Sequence, residues 1–438
     1  MFHTAASRPS GKALAVEWFY NVILIDLQGR SSSARFGYDV VSDGVIVGHE
    51  RREKIPAEIA FRPCAPTRLF FTRAYRAAYI YRMKICVYAI CKNESAFAER
   101  WVKSMSEADE ITVLDTGSDD KSAEKLAALG VRVRTKIVDP WRFDVARNLS
   151  LADVSENADV CVCTDLDEVF EPGWRKKIET VWRNGVTRGR YRYVWSHDGE
   201  AAGVEFLADK IHARRGYEWV NPVHEVLKPT GKEVWAAIDG LTLHHYPDPK
   251  KSRAAYLPLL ELAVKEDPSN DRNSHYLGRE YYFRGAYDKA IAELERHLSL
   301  PTAVWREERS ASMRYIAASY RALGKFDNAE KWYLRACLES PESREPSFDY
   351  ARMLYSLGNY AGAVFWLNKT LSVTVRSLSY ISSPEAWGAE PYDLLALSLF
   401  ALGSYDEAAK YGRRALELSP SDERLKNNLY FYEEKTKK

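Results

Sequence analysis

The chain has 438 residues, room for two or three domains, and an ordinary globular balance of 46% hydrophobic and 28% charged residues. Its 63 basic and 61 acidic side chains leave a formal charge of +2, which excludes reading the whole chain as a nucleic-acid binder, since such proteins carry a basic surplus. No run of about 18 uncharged apolar residues occurs, so no transmembrane segment is expected; without a signal-peptide pattern the expected compartment is the cytoplasm.

Residues 1–82 stand apart, with 12 Lys and Arg against 7 Asp and Glu and no sustained apolar period. Met83 then opens a strand-like run, Met83-Lys84-Ile85-Cys86-Val87-Tyr88-Ala89-Ile90. The first 82 residues therefore read as an extension upstream of a natural start at Met83. The alternative is a basic membrane- or partner-binding arm.

From Met83 to about His245, short apolar runs alternate with amphipathic stretches. The pattern predicts strands at 85–90, 110–114, 131–138 and 159–164, and helices at 99–106, 122–129 and 143–152. Such alternation argues for parallel crossover units and a sheet covered on both faces, whose ligands bind beyond the carboxyl ends of the strands. The polar clusters fall at those ends: Asn93-Glu94, Asp115-Thr116-Gly117-Ser118 and Asp165-Leu166-Asp167-Glu168. Cys161 and Cys163, two apart on a strand, face one side with no partner ligands at metal-site spacing, and read as buried free thiols.

After residue 250 internal repetition begins. Gly285-x-Tyr287-x-x-Ala290, Gly324-x-Phe326-x-x-Ala329, Gly358-x-Tyr360-x-x-Ala363 and Gly403-x-Tyr405-x-x-Ala408 align on one spacing, and Pro301, Pro341 and Pro420 close three of the units. Each reads as a helix hairpin in which Gly ends the first helix, the aromatic opens the second, and Ala permits close packing. The glycines lie 39, 34 and 45 residues apart, around the roughly 34-residue tetratricopeptide period, so the longer gaps imply inserted loops.

Three carboxylates at one strand end, Asp165, Asp167 and Glu168, repel one another and cost desolvation unless a cation is present. Hard oxygen ligands suit Mn²⁺ or Mg²⁺, which commonly bridge carboxylates to phosphates. A plain acidic turn is the alternative for this run alone. It is joined, in order, by Cys91-Lys92-Asn93-Glu94, Asp115-Thr116-Gly117-Ser118-Asp119-Asp120 and Phe143-Asp144-Val145-Ala146-Arg147-Asn148.

This series resembles family 2 glycosyltransferases of the GT-A fold, in the branch with C-terminal tetratricopeptide repeats, from about Met83 to the end. The resemblance implies an α/β domain over 83–250, Rossmann-like with a mixed or parallel sheet, followed by an all-α repeat domain over 251–438. It implies that Asn93 and Glu94 line a nucleotide pocket, that Asp115 bonds the base, and that Arg147 lies near the nucleotide. Asp165 would contact ribose or metal, Asp167 would ligate the metal, and His245 in Leu243-His244-His245-Tyr246 would add a further ligand. A helix cap for Asp115, a surface ion pair for Arg147 and a core histidine for His245 are the plain alternatives.

Tyr217-Glu218-Trp219-Val220-Asn221-Pro222-Val223-His224-Glu225 resembles the family's stretch ending in Val-His-Glu. Inverting transfer needs a carboxylate to take the acceptor's proton, and Glu225 is the candidate base. The alternatives are a carboxylate paired to Arg214 or Arg215, with His197-Asp198 next in line for the role. The expected reaction is metal-dependent transfer of a sugar from a nucleoside diphosphate donor, UDP by resemblance, to a peptide, protein or saccharide acceptor. The repeats offer a surface for a protein partner. The rival readings are a catalytically inactive repeat scaffold with a nucleotide-sugar-binding domain, and nucleotidyl transfer, whose Gly-rich basic phosphate loop this sequence lacks.

Overall fold

The computed structural model describes residues 82–437 apart from 184, 199–200 and 249–255, with backbone alone at 198 and 201–202, and shows the backbone of three strands within residues 1–81. The chain divides into two units, Met1–Tyr81 and Arg82–Lys438. In the first, β1 (Trp18–Ile25), β2 (Ser31–Val40) and β3 (Ile46–Glu50) form an antiparallel sheet that the sequence reading did not assign. Otherwise the expectation of an extension over 1–82 falls outside the described residues.

In the second unit β4 (Ile85–Cys91), α1 (Ala98–Ser104), β5 (Glu110–Asp115), α2 (Ser122–Ala128), β6 (Arg132–Thr135), α3 (Phe143–Ala152) and β7 (Val160–Cys163) follow the predicted alternation. All seven residues of β4 are buried. Its period-two pattern splits between two cores: Ile85, Val87 and Ala89 pack with Trp101, Val113 and Val162, whereas Cys86 and Tyr88 pack with Leu151, Cys161 and Trp219. That is what a central parallel strand covered on both faces requires. Cys161 and Cys163 are buried free thiols, as expected. β6 is the exposed edge, and it stops at Thr135 instead of running on to Val138 because its partner β5 ends opposite it at Asp115.

The rest of the domain is mixed, antiparallel except for the parallel pairing of β9 with β15, and was not predicted: β8 (Glu168–Phe170), α4 (Trp174–Val181), β9 (Arg188–Val194), β10 (His197–Asp198), β11 (Ala201–Ala202), β12 (Glu205–Ala213), β13 (Tyr217–Val220), β14 (Val226–Pro229) and β15 (Trp235–His245). The eight-stranded sheet runs β6-β5-β4-β7-β12-β9-β15-β8, parallel from β6 to β7, with β12 antiparallel to both β7 and β9. A polar chain pins its middle. Trp219 Nε1 donates to Tyr88 Oη (2.9 Å), Tyr88 and His212 Nε2 lie 2.7 Å apart, and His212 Nδ1 donates to its neighbour's carbonyl, Ala213 O (2.8 Å). Because a carbonyl only accepts, Nδ1 holds the proton and Nε2 accepts from the tyrosine. Burial pushes the His212 pKa down to about 3, so the imidazole is neutral.

Among the described residues ten α-helices follow: α5 (Tyr256–Glu266), α6 (Asp271–Phe283), α7 (Tyr287–Ser299), α8 (Arg306–Ala322), α9 (Phe326–Glu339), α10 (Arg344–Ser356), α11 (Tyr360–Ser372), α12 (Glu390–Ala401), α13 (Tyr405–Leu418) and α14 (Glu423–Thr436). Each repeat glycine sits just past a first helix with positive φ: Gly285 at 73°, Gly324 at 72°, Gly358 at 76° and Gly403 at 82°. The four alanines are fully buried. The four aromatics are not fully buried: Phe326 is 41% exposed, Tyr360 meets Tyr355 edgewise and Tyr405 packs on Phe400 at a tilt. The 45-residue gap holds the inserted segment 373–389, with a 3₁₀ turn at Pro384–Ala386. Nothing crowds an added Cβ at Gly358, so Gly358→Ala should cost only the backbone penalty, about 1–2 kcal/mol by urea denaturation, and Gly358→Asn less. Equal costs for Ala and Asn would count against the left-handed cap as the reason for glycine.

The sheet and the repeats share a core. Val223 packs with Leu259, Leu260, Tyr276 and Leu277, flanked by Trp141, Phe143 and Tyr380. Arg142 bonds Glu266 (2.5 Å), and Arg376 of the inserted segment donates to Gly203 O (2.8 Å) beside the β10–β11 hairpin. The boundary near residue 250 is thus a change of secondary structure within one compact unit.

Candidate functional site

Reading outward from β4, the chain steps one way to β5 and β6 and the other way to β7. The reversal leaves a crevice at the carboxyl ends of β4 and β7, where open parallel sheets take ligands. Asn93-Glu94 follows one strand and Asp165-Leu166-Asp167-Glu168 the other.

On the β4 side, Asn93 adopts φ +56° and its Oδ1 accepts from Asp119 N (2.8 Å). Glu94 is buried, and its N–H donates to Ser122 Oγ (2.8 Å). Asp115 accepts from Gly117 N (3.3 Å), Ser118 N (3.2 Å) and Ser118 Oγ (2.5 Å). The Asn93 amide and the Glu94 N–H therefore tie the β4 loop to the segment after β5. Asp115 ties its own turn together, where the plain alternative was a helix cap.

Arg147 is the hub. It is 2% exposed, which rules out a surface ion pair. Its Nε donates to Glu225 Oε1 (3.0 Å), one terminal nitrogen to Asp165 Oδ1 (2.5 Å) and the other to Thr164 O (3.4 Å), and it lies over the Trp219 ring. Burial works against its charge, but the two carboxylates outweigh burial and hold its pKa well above the usual value. The next residue, Asn148, clamps β13 with both ends of its amide: Nδ2 to Trp219 O (2.8 Å), and Oδ1 from Trp219 N (2.9 Å). One helical dipeptide thus sets both the acidic loop and the hairpin that carries Glu225.

The Asn221–Glu225 turn is strained, with Asn221 at φ +80° and His224 at φ +50°. It is held from three sides. Phe143 N donates to Pro222 O (3.0 Å), Asn273 of α6 to Asn221 Oδ1 (3.4 Å), and the His224 ring stacks on Tyr276 of α6 (3.9 Å between centroids). The salt-bridge partner of Glu225 is Arg147; Arg214 and Arg215 pair with Glu156 instead. His197 stacks on Tyr246 (4.8 Å), and the side chain of Asp198 lies outside the described residues.

The three metal-ligand candidates do not gather as one set. Asp165 turns to Arg147 and to Lys210 (3.5 Å), whereas Asp167 Oδ2 faces His245 Nε2 (3.4 Å). Two cations already satisfy Asp165, which removes the electrostatic need for a third. Asp167 and His245 do fit a cation. Asp167 Oδ1 is buried without a hydrogen-bond partner. His245 Nδ1 donates to Trp195 O (3.0 Å), so in the neutral ring Nε2 is a lone pair pointing at a carboxylate. Burial disfavours a proton there, yet Asp167 outweighs it and raises the His245 pKa.

Lys210, on β12, was missed by the sequence reading, since nothing local marks it. It lies 3.5 Å from Glu168 as well, and Glu168 is fully buried, accepting from Tyr193 Oη (2.7 Å) and Asp165 N (2.9 Å). Burial raises the Glu168 pKa. Also missed was an aromatic shelf: Trp195 and Tyr246 are half exposed, with Trp195 stacked on His245 (4.3 Å) and Arg100 over Tyr246 (4.9 Å). The repeats hold a separate cavity of about 400 Å³, lined by Glu307, Arg314, Glu345, Val375, Ile381 and Trp387.

Fold and site define an α/β domain with a crevice lined by carboxylates, joined to helical repeats of the tetratricopeptide type. The family model described as the prolyl 4-hydroxylase peptide-substrate-binding domain matches residues 344–438. Among solved structures, MamA is 20% identical over 37% of this chain and 86% of its own, with a TM-score of 0.31. Yeast Tom70 is 18% identical over 43% of this chain and 37% of its own, at 0.34, and Pseudomonas aeruginosa PilF 16% identical over 40% and 71%, at 0.32. At these scores the likenesses carry nothing further. Among the described residues no helix is long and apolar enough to cross a membrane.

Proposed function

We propose that the chain transfers a sugar from a nucleoside diphosphate donor, a UDP-sugar by the resemblance of its motifs, to a peptide or protein acceptor with inversion, on a GT-A-type domain. The observation that carries this reading is the meeting of Arg147, Asp165 and Glu225, from three separate segments, at the sheet's reversal point, with Asn93-Glu94 and Asp167 on the loops that follow β4 and β7 there. Asp167 and His245 would hold Mn²⁺ or Mg²⁺, which when bound screens the charge of the departing diphosphate. Arg147 orients Glu225 through Oε1 alone, and no bond to Oε2 is seen among the described residues, so that oxygen can take the acceptor's proton. The half-exposed Trp195 and Tyr246 offer flat apolar faces for a sugar ring. The matched family's description supports a peptide or protein on the repeats.

A second reading, a repeat scaffold without catalysis, is favoured by one specific observation: the matching family model, a peptide-substrate-binding domain, lies within the repeats, at residues 344–438. Nucleotide release from a panel of nucleotide sugars, followed by mass spectrometry with candidate peptide and saccharide acceptors, separates the two. Turnover should vanish in chelator, return with Mn²⁺ or Mg²⁺, and be absent in Asp167→Asn. Full turnover in chelator would defeat the metal assignment, and neither binding nor release with any donor would leave the scaffold reading.

A further inference from the structure

The described residues contain one group of three metal-ligating side chains whose donor atoms lie within 4.8 Å of one another, and it is far from the crevice in sequence: Asp271, His297 and Glu308. Asp271 opens α6, His297 lies in the last turn of α7, and Glu308 in the first turn of α8. His297 is fully buried and Glu308 nearly so. Two carboxylates at helix starts would not make a site by themselves. The histidine between them supplies the second observation, because His297 Nε2 is buried with no hydrogen-bond partner.

The surroundings explain why that nitrogen matters. Ser312 Oγ lies between His275 Nδ1 (2.8 Å) and His297 Nδ1 (2.9 Å). A hydroxyl has one proton, so it donates to one ring and accepts from the other. If it accepts from His297, then His297 Nε2 is a lone pair facing Glu308 Oε1 at 3.4 Å, acceptor against acceptor. The reverse arrangement places an N–H at Nε2 that makes no well-formed hydrogen bond. Tyr380, from the inserted segment, donates to the other oxygen of Glu308.

We propose that Asp271, His297 and Glu308 bind one divalent transition-metal ion of the Zn²⁺ class, tying α6, α7 and α8 together. One imidazole nitrogen and two carboxylates suit Zn²⁺, whereas Mg²⁺ and Ca²⁺ prefer all-oxygen shells. Two ligand atoms about 2.1 Å from a tetrahedral ion lie about 3.4 Å apart, the separation that His297 and Glu308 already have. Asp271 closes on the ion by a side-chain rotation at a half-exposed position, and a fourth place remains for water. Ser312, accepting from the far nitrogen of His297, is the outer partner that fixes the metal-binding tautomer. The proposal is independent of the glycosyl-transfer reading, since no residue is shared with the crevice.

The test is isothermal titration of Zn²⁺ into full-length protein freed of metal by chelator, with the melting temperature followed alongside. One Zn²⁺ should bind and raise the melting temperature, in wild type and in Asp167→Asn alike. Asp271→Asn, at a half-exposed helix start where folding is not at risk, and Glu308→Gln should each weaken binding by at least the roughly 10–100-fold expected for loss of an outer partner. Ser312→Ala should weaken it within that range. No Zn²⁺ bound at 100-fold excess over protein would overturn the proposal and leave His297–Glu308 a simple ion pair. Zn²⁺ bound equally by Asp271→Asn and wild type would mark adventitious binding elsewhere and overturn it too.

Discussion

Glu225→Gln is expected to slow sugar transfer by roughly 10²–10⁴-fold while leaving donor binding nearly intact. The amide oxygen can still accept from Arg147 Nε, so the turn should stay in place and the melting temperature should move little. What the variant loses is the ability to take a proton at neutral pH. Transfer at the wild-type rate would move the base elsewhere, with Asp198 the next residue to change. A folded variant with lost donor binding would instead make Glu225 a positioning residue for Arg147.

Acid should unfold this protein steeply. His212 and His275 are both fully buried, and burial pushes each pKa down to about 3. In the unfolded chain each binds a proton near pH 6.5, so below that pH the unfolded state holds more protons and stability falls as pH falls. Each histidine should cost about 1.4 kcal/mol per pH unit between about 6 and 4, together about 5 kcal/mol over two units, comparable with a whole domain's stability. Urea denaturation in chelator at pH 7, 6, 5 and 4 should show this slope, and His275→Gln should remove about one proton's share of it. A stability flat from pH 6.5 to 4.5 would mean that both rings are protonated in the fold.

The first half of the sheet and the repeats were legible because their signals are local. β4, β5 and β7 are short apolar runs ending in polar clusters, and the Gly-x-aromatic units recur in register with glycines that do adopt left-handed φ. The second half was not legible, since β8 has only three residues and β9 reads Arg-Gly-Arg-Tyr-Arg-Tyr-Val, a charged strand whose parallel partner β15 lies some forty residues on. The same reason hid Lys210 and mis-paired Glu225. Arg214 and Arg215 are nearer to it in the chain, whereas Arg147 reaches it across 78 residues. The aromatic openers stand where the repeat spacing put them, as the first residue of each second helix.

The strained Asn221–His224 turn limits how this architecture can be taken apart. Its unusual backbone is supported on one side by Tyr276 and Asn273, which belong to the first repeat helices and not to the sheet. A fragment ending near residue 250 would release that support, and Glu225 would lose its fixed place beside Arg147. Helices α12 to α14 could be exchanged for others of different length or surface without touching the turn, whereas the inserted segment before them could not, since its Tyr380 stacks on Tyr276. α6 could not, although its sequence periodicity assigns it to the repeats. In a library of shuffled arrays, the helices up to the inserted segment would have to travel with the sheet, and the inheritable cassette would end near Ala389.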